Sequence, residues 1–392
     1  MTLRLFLVAG EPSGDRLGAA LMAGLKTLAG GDVVFHGVGG PLMQAEGLVP
    51  LFDMEELSVI GLTEIIANYR RLARRVTDTA KAVTAERPDA LITIDIPEFS
   101  LRLASQVKDR APDIRTIHYV APTVWAWRPG RARKMARSVD HVLALLPFEP
   151  PYMQAEGMSC DFVGHPVVTE PKASEAEIAA FRDKHGIAPG ETTILVLPGS
   201  RRSEIERLAP IFGDALRPVL ARHPGAHVVV PAAPAVAGML GDKIRDWPGQ
   251  PHILDPRGQA PDAFAAEKRA AFSLADVALA ASGTVSLELA AAETPMVIAY
   301  DMSWLSRTVI LSLLKVDTVT LVNLVAESRT VPEFIGKACR PGPVGAALNT
   351  LLDDAAARTA QLNAMALTMA RLGKGGEAPG LRAARSVMSL IR

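Results

Sequence analysis

Cysteine is nearly missing from this chain. Cys160 and Cys339 are the only two among 392 residues. That excludes a disulfide framework and a multi-thiolate zinc site, and it fits a reducing cytoplasm. The eight histidines show no ligand spacing, so neither a metal nor a cofactor is expected. Excess charge of either sign is also lacking: 42 lysines and arginines balance 42 acids. A dedicated nucleic-acid binder usually carries a global basic excess, so no nucleic-acid partner is expected. Long apolar runs are missing too. The tracts Ala270 to Tyr300 and Val309 to Val325 are broken by polar residues, short of the ~20 apolar residues a membrane span needs. The opening MTLRLFLVAGEPSGD does not read as a signal peptide, because acids and glycine stand where a small-residue cleavage site belongs. GxGxxG follows the first strand of neither half, which counts against a nicotinamide enzyme, and GEPSGD lacks the lysine of a P-loop.

What is present is an alternation of strand-like and helix-like segments, the pattern of parallel sheets with crossover helices. At 392 residues, 49% apolar and 21% charged, two α/β domains are the default. Strands are expected at Leu3–Ala9, Val33–Val38, Ala90–Asp95, Arg115–Val120, His141–Leu145 and Cys160–Val163. A helix is expected over Arg16–Leu28. The polar stretch Pro166 to Glu175 reads as a linker. The alternation restarts with strands at Thr193–Leu197, Ala226–Pro231, Val277–Ala280 and Pro295–Tyr300, and a helix over Glu204–Leu220. From Pro343 onward the chain reads as mostly helical. The expected architecture is two Rossmann-like domains facing a cleft, over 1–165 and 175–365. A helical tail, 366–392, either packs on the first domain or exchanges in a homodimer.

Ligands of open α/β sheets bind beyond the carboxyl ends of strands, so the post-strand loops carry the functional argument. In GEPSGD, Gly10 and Gly14 are expected to permit a tight turn. Ser13 and Asp15 either cap the following helix or contact a hydroxyl-bearing acceptor, since Glu11 and Asp15 would repel a pyrophosphate. Asp95-Ile96-Pro97-Glu98-Phe99 places two carboxylates at a strand end, suited to general-base work, with Pro97 expected to hold the loop out of helix. Trp125 and Trp127 lie in a Gly/Pro-punctuated loop, followed at once by Arg128, Arg131, Arg133, Lys134 and Arg137. That combination suits a phosphorylated, partly apolar molecule. In Leu197-Pro198-Gly199-Ser200-Arg201-Arg202, glycine, a helix N-terminus and a fork-shaped cation suit a diphosphate. In Ala281 to Glu288, Ser282, Gly283 and Thr284 offer donors, and Glu288 lies one turn on, where it could accept ribose hydroxyls.

Eight segments in order, AGEPSGD, GVGGPLMQAEGL, MEELSVIGLTEII, HYVAPTVWAWR, LPFEPPY, FVGHP, LPGSR and ASGTVSLE, resemble the lipid-A-disaccharide synthase family. The resemblance runs from about Leu5 to Cys339. It implies a GT-B fold and an inverting glycosyltransferase. The implied donor is UDP-2,3-diacylglucosamine and the implied acceptor a 2,3-diacylglucosamine 1-phosphate. The implied setting is a Gram-negative cytoplasm, on the inner face of the inner membrane. It also carries over Asn323 as a donor-site residue. Two positions depart from the family pattern. The second acid of the usual Asp-x-Pro-Asp-Phe loop is Glu98 here, and Gly336 stands where the family often has glutamine, leaving Lys337 as a possible substitute.

Under that resemblance a base takes the proton of the acceptor's 6-hydroxyl. Glu98 is favoured and Asp95 competes. Arg201, helix N-termini and the Ser282–Thr284 donors would neutralise departing UDP. Ser13, Asp15, Trp127, Arg128 and Arg131 are the acceptor-side candidates, and the Arg128 to Arg137 cluster suits either the 1-phosphate or an anionic lipid. Leu57 to Val76 sets Ile60, Leu62, Ile65 and Ile66 beside Arg70, Arg71, Arg74 and Arg75, a pattern for docking on an anionic lipid surface. A core-facing helix with a solvated basic end is the plain alternative. Other UDP-sugar enzymes of the same fold, including a 2-epimerase, and a non-catalytic lipid-binding module are the competing functions.

Overall fold

The computed structural model describes residues 2–57, 62–126, 130–302 and 316–391, and of residues 62–69 the backbone only. It divides into two compact units. One is Met1–Pro166 with Leu372–Arg392, the other Val167–Arg371.

Among the described residues the first unit holds a seven-stranded sheet. Its strands are β1 (Leu3–Ala9), β2 (Val33–Val38), β3 (Leu48–Pro50), β4 (Ala90–Ile94), β5 (Arg115–Tyr119), β6 (His141–Ala144) and β7 (Ser159–Phe162). The order is β3-β2-β1-β4-β5-β6-β7, and every pairing is parallel. The second unit holds β8 (Thr193–Leu197), β9 (His227–Pro231), β10 (His252–Leu254), β11 (Val277–Ala280), β12 (Met296–Tyr300) and β13 (Glu333–Ile335), in the order β10-β9-β8-β11-β12-β13. These pairings are parallel as well. The central strands read as unbroken apolar runs because both faces are covered. Leu5 to Ala9, Ala90 to Ile92 and Ile194 to Val196 are almost wholly buried, as parallel sheets require. Of the four edge strands, β3, β10 and β13 have three residues each, too few for a period-2 signal in sequence.

The first helix runs Pro12–Leu28, four residues earlier than the sequence suggests, with proline in its first turn. Proline's fixed φ and missing N–H cost nothing there. Leu17, Leu21, Met22 and Leu25 form its buried stripe, the 3.6-residue spacing of a core-facing helix. The tail helix Pro379–Ile391 packs on this first helix. Two glycines set the distance of closest approach. A Cβ on Gly24 would lie 2.8 Å from the Gly380 carbonyl, and one on Gly380 would lie 2.6 Å from the Ala20 carbonyl. Polar bonds fix the register of the tail. Ser386 donates to Asp161 at 2.6 Å and bonds His141 at 2.9 Å, and Arg382 donates to the Phe162 carbonyl at 2.7 Å. The stretch Pro166 to Glu175 contains a 3-10 turn, Pro166–Thr169, and then Ser174, which caps the helix Glu175–His185 with a capping box to Glu177.

Candidate active site

Each sheet reverses its strand order once, between β1 and β4 in the first unit and between β8 and β11 in the second. At such a switch point the two following loops diverge and leave a crevice beyond the strand ends. The loops at the first reversal are GEPSGD and Asp95 to Phe99. At the second they are Pro198 to Arg201 and Ala281 to Thr284.

In the first unit the two loops close on each other through Gly10. A Cβ there would lie 2.6 Å from Ile96 Cδ1 and 2.9 Å from Leu57 Cβ. Gly10 and Gly14 have no left-handed φ, so close packing, rather than a tight turn, explains them. Ser13 lies exposed in the first helical turn. Asp15 does not cap its own helix. It is 3% exposed, and its two oxygens accept the backbone N–H groups of Leu42 and Met43 at 3.0 Å each. It thereby caps the neighbouring helix Pro41–Ala45. A buried carboxylate so occupied is a structural tie.

The backbone after β4 is strained. Asp95 and Ile96 have φ of 52° and 40°, and Val120, after the adjacent β5, has 83°. Left-handed conformations at bulky non-glycine residues cost about 1–3 kcal/mol each and concentrate at functional sites. The Asp95 N–H donates to the Tyr119 carbonyl at 3.0 Å, and Ser100 Oγ donates to the Asp95 carbonyl at 2.7 Å. Pro97 does not hold this segment out of helix. It starts the helix Pro97–Arg110 with Ile96 as its left-handed N-cap. Asp95 is half-buried. Burial raises its pKa above the usual carboxylate range, and the Ile96 N–H offsets this in part. Glu98 lies in the first helical turn, with its side chain 80% exposed, 3.6 Å from Arg131 and 3.9 Å from Arg102. Exposed ion pairs of this kind contribute little.

In the aromatic-basic loop, Trp125 is buried against Phe148, edge to face, with centroids 5.1 Å apart. Its indole N–H donates to Glu149 at 3.4 Å, and the Leu146 N–H donates to the same carboxylate at 3.0 Å. Burial pushes the Glu149 pKa up to about 7, opposed by the bonds from Leu146 and Trp125. Sequence reasoning passed over Glu149, although it sits in the LPFEPPY segment. Trp127 and Arg128 lie outside the described residues. Arg131 is half-buried on the helix Gly130–Met135, while Arg133 and Lys134 are exposed.

Ile60 also lies outside the described residues. Leu62, Ile65 and Ile66 fall in the helix Leu62–Glu86, where only their backbone is described. Arg70 and Arg71 are exposed on that helix. Arg75 is already paired. It makes a bidentate pair with Glu56, at 2.6 and 3.0 Å, and lies over the Phe52 ring. No described helix is long and apolar enough to cross a membrane.

In the second unit, Gly199 has a φ of 116° and Arg201 is the N-cap of the helix Arg202–Arg222. The Arg201 side chain is 71% exposed and reaches Glu204 at 3.1 Å. The backbone amides that follow Gly199 are already engaged. The Ser200 and Arg201 N–H groups are bonded to the Glu204 carboxylate at 2.9 and 3.2 Å, and a Cβ on Gly199 would strike that carboxylate at 2.5 Å. The sequence signal was legible, because an acid three residues after an N-cap is the second half of a capping box. Gly283 and Thr284 are exposed at the start of the helix Val285–Ala292, with Ser282 half-buried before them. Glu288, one turn on, pairs with Lys268 at 2.6 Å.

Asn323, the donor-site candidate, is buried and already bonded. It is 1% exposed. Its amide donates to the Val331 carbonyl at 2.9 Å and Glu333 at 3.0 Å, and its oxygen accepts from Val331 N–H at 3.1 Å. Glu333 in turn accepts from Thr318, Val319 and Thr320. The asparagine and the half-buried Glu333 together tie this segment through a side-chain network. Gly336 adopts a φ of 62°, which glycine takes at least cost. Lys337 is exposed beside it.

The lipid-A-disaccharide synthetase family model matches residues 5–375. A lipid-A-disaccharide synthase of Ruegeria pomeroyi is 60% identical over 389 residues, 99% of this chain and 96% of that protein. Among solved structures, a putative UDP-N-acetylglucosamine 2-epimerase from Listeria monocytogenes aligns with a TM-score of 0.64 at 13% identity, covering 100% of this chain and 96% of that one. A glycosyltransferase from Rickettsia africae aligns with a TM-score of 0.59 at 11% identity, covering 99% and 97%. At such identities these likenesses concern the fold, which is GT-B. With a family match over nearly its full length and a close relative covering almost all of it, the chain belongs to the lipid-A-disaccharide synthetase family.

Proposed function

We propose that this chain carries out the family's reaction. It transfers 2,3-diacylglucosamine from UDP-2,3-diacylglucosamine to the 6-hydroxyl of 2,3-diacylglucosamine 1-phosphate, with inversion, releasing UDP. The observation that carries the reading is the family match over residues 5–375. The different chemistry of the two switch-point loop pairs supports it. Acids stand at the first pair, and hydroxyls with a cation at the second. In an inverting displacement one group removes the acceptor proton while others neutralise the leaving diphosphate.

Of the two acids, the geometry favours Asp95 over Glu98. A base works best with its pKa near the working pH. Asp95 is half-buried with a raised pKa on a strained backbone, whereas Glu98 is exposed between two arginines. Glu98 then orients Arg131 toward the acceptor, whose 1-phosphate suits the basic loop that also holds Trp127 and Arg128. Ser13, exposed at the start of the first helix, remains an acceptor-side candidate. Gly199, Ser200, Arg201, Ser282, Gly283, Thr284 and Glu288 serve the donor. Arg70 and Arg71, with the apolar positions 60, 62, 65 and 66, dock the protein on the anionic inner face of the inner membrane.

The test is direct. Purified protein is incubated with radiolabelled UDP-diacylglucosamine and the acceptor 1-phosphate. A labelled disaccharide 1-phosphate with one equivalent of UDP is expected. Epimerised UDP-sugar without disaccharide would overturn the reading.

A further inference from the structure

The proposed donor loop already holds an anion of its own. Glu204, in the first turn of Arg202–Arg222, folds back over the loop. One carboxylate oxygen accepts the N–H groups of Ser200 and Arg201 at 2.9 and 3.2 Å. The other accepts from the Arg201 guanidinium at 3.1 Å and from the Tyr300 hydroxyl at 3.3 Å. The residue is 9% exposed. Only glycine at 199 allows this approach, since a Cβ there would lie 2.5 Å from the carboxylate and 2.6 Å from Glu204 Cβ.

An acid that merely caps its helix satisfies backbone donors. This one does more. Tyr300 ends β12, and β8 and β12 are the two neighbours of β11. The Glu204–Tyr300 bond therefore ties the loop after β8 to the end of β12, flanking the strand that carries Ser282 to Thr284. One turn further along the helix, Arg207 approaches Asp301 at 3.7 Å and repeats the tie. Burial, and then the charge of Glu204, raise the Tyr300 pKa, so the phenol stays protonated and keeps donating. The carboxylate also limits where the exposed Arg201 fork can point.

We infer that Glu204 is a positioning residue for the donor site. Through the Ser200 and Arg201 amides, the Arg201 guanidinium and Tyr300, it sets the loop against which the diphosphate of a sugar nucleotide is bound. This inference rests on the donor reading of the second unit given above.

The experiment is UDP titration by calorimetry on the full-length protein and its variants E204Q, Y300F and R201A, with thermal melting in parallel. E204Q keeps the side-chain length but turns an NH2 group or a weaker acceptor toward the backbone donors. It should bind UDP on the order of tenfold more weakly, since small displacements of positioning groups cost this much or more. Y300F should show a smaller loss in the same direction. Steady-state kinetics should show E204Q raising the donor KM more than it lowers kcat. If E204Q is folded and binds UDP like the wild type while R201A binds weakly, Glu204 is only a helix cap and the inference fails. If R201A also binds like the wild type, the donor reading itself fails. Tighter binding by E204Q would mean that the carboxylate competes with the diphosphate, which also overturns the inference. If E204Q does not fold, Y300F decides, because it keeps the carboxylate and removes only the tie. Unchanged UDP affinity in Y300F would then sink it.

Discussion

The two units share one strand order around their reversal, β3-β2-β1-β4-β5-β6 in the first and β10-β9-β8-β11-β12-β13 in the second, yet their switch-point loops carry opposite chemistry. The first unit has acids on a strained backbone, with Asp95 and Ile96 in left-handed conformations. The second has an arginine, hydroxyls and helix starts, with an internal carboxylate holding one loop in place. The same parallel scaffold presents both. Strand ends fix where a loop begins, and the loop's residues decide which charge it welcomes. Under the proposed function, removing a proton and holding a diphosphate make opposite electrostatic demands, which the two loop pairs would meet on separate sheets.

Asp95→Asn should have the largest effect. If the first unit supplies the base, kcat should fall by about 10²–10⁴-fold, the usual worth of general-base help, while UDP affinity by calorimetry stays at the wild-type value. Glu98→Gln should cost less than about tenfold, as expected for an exposed, weakly coupled pair. The reverse ranking would return the base role to Glu98. The same contrast has a pH signature. Because burial raises the Asp95 pKa, the acid limb of the kcat/KM profile should lie above the range of an ordinary aspartate and vanish in the Asn variant.

Glu149 offers a stability test confined to the first unit. Its pKa is about 7 when folded, against 4.5 for the free side chain. The unfolded chain therefore gives up this proton first, and the folded state loses stability as pH rises through that interval. The loss is on the order of 3 kcal/mol, at ~1.4 kcal/mol per pKa unit. Chemical denaturation at pH 4.5 and pH 8 should show the wild type losing ground to Glu149→Gln by that order. Parallel curves would show that the carboxylate is not desolvated against Trp125.

On the donor side, Arg201→Ala should weaken UDP binding by about 1.5–3 kcal/mol, the range for a hydrogen bond to a charged group. It should leave acceptor binding intact. If acceptor affinity fell equally, the division of labour between the units would be wrong.

The smallest effect concerns docking. Replacing the exposed Arg70 and Arg71 by serine should weaken binding to phosphatidylserine-containing vesicles by about 1 kcal/mol per arginine, an effect that salt abolishes. Arg75→Ser should instead lower the melting temperature, because that side chain is tied to Glu56. If the two sets behaved alike, neither would be a docking contact.

Much of this was legible in the chain itself. Continuous apolar runs such as Leu5 to Ala9 announce buried parallel strands, because helices cover both faces and no alternation is needed. Glycines and prolines after those runs announced the loops, and the collinear motifs announced the family. Those are local properties, or properties of order along the chain, and sequence determines them. Strand order is not local. That GEPSGD and the Asp95 loop share a switch point depends on β4 pairing with β1, a contact between residues about 85 positions apart. Nor could composition tell which polar groups had already been claimed. Asp15, Asn323 and Glu204 read as ligand-facing or as background, and only folding showed each already accepting backbone N–H groups. A side chain's chemistry comes with its identity. Its availability depends on which neighbours have already satisfied it, and the tertiary structure alone decides that.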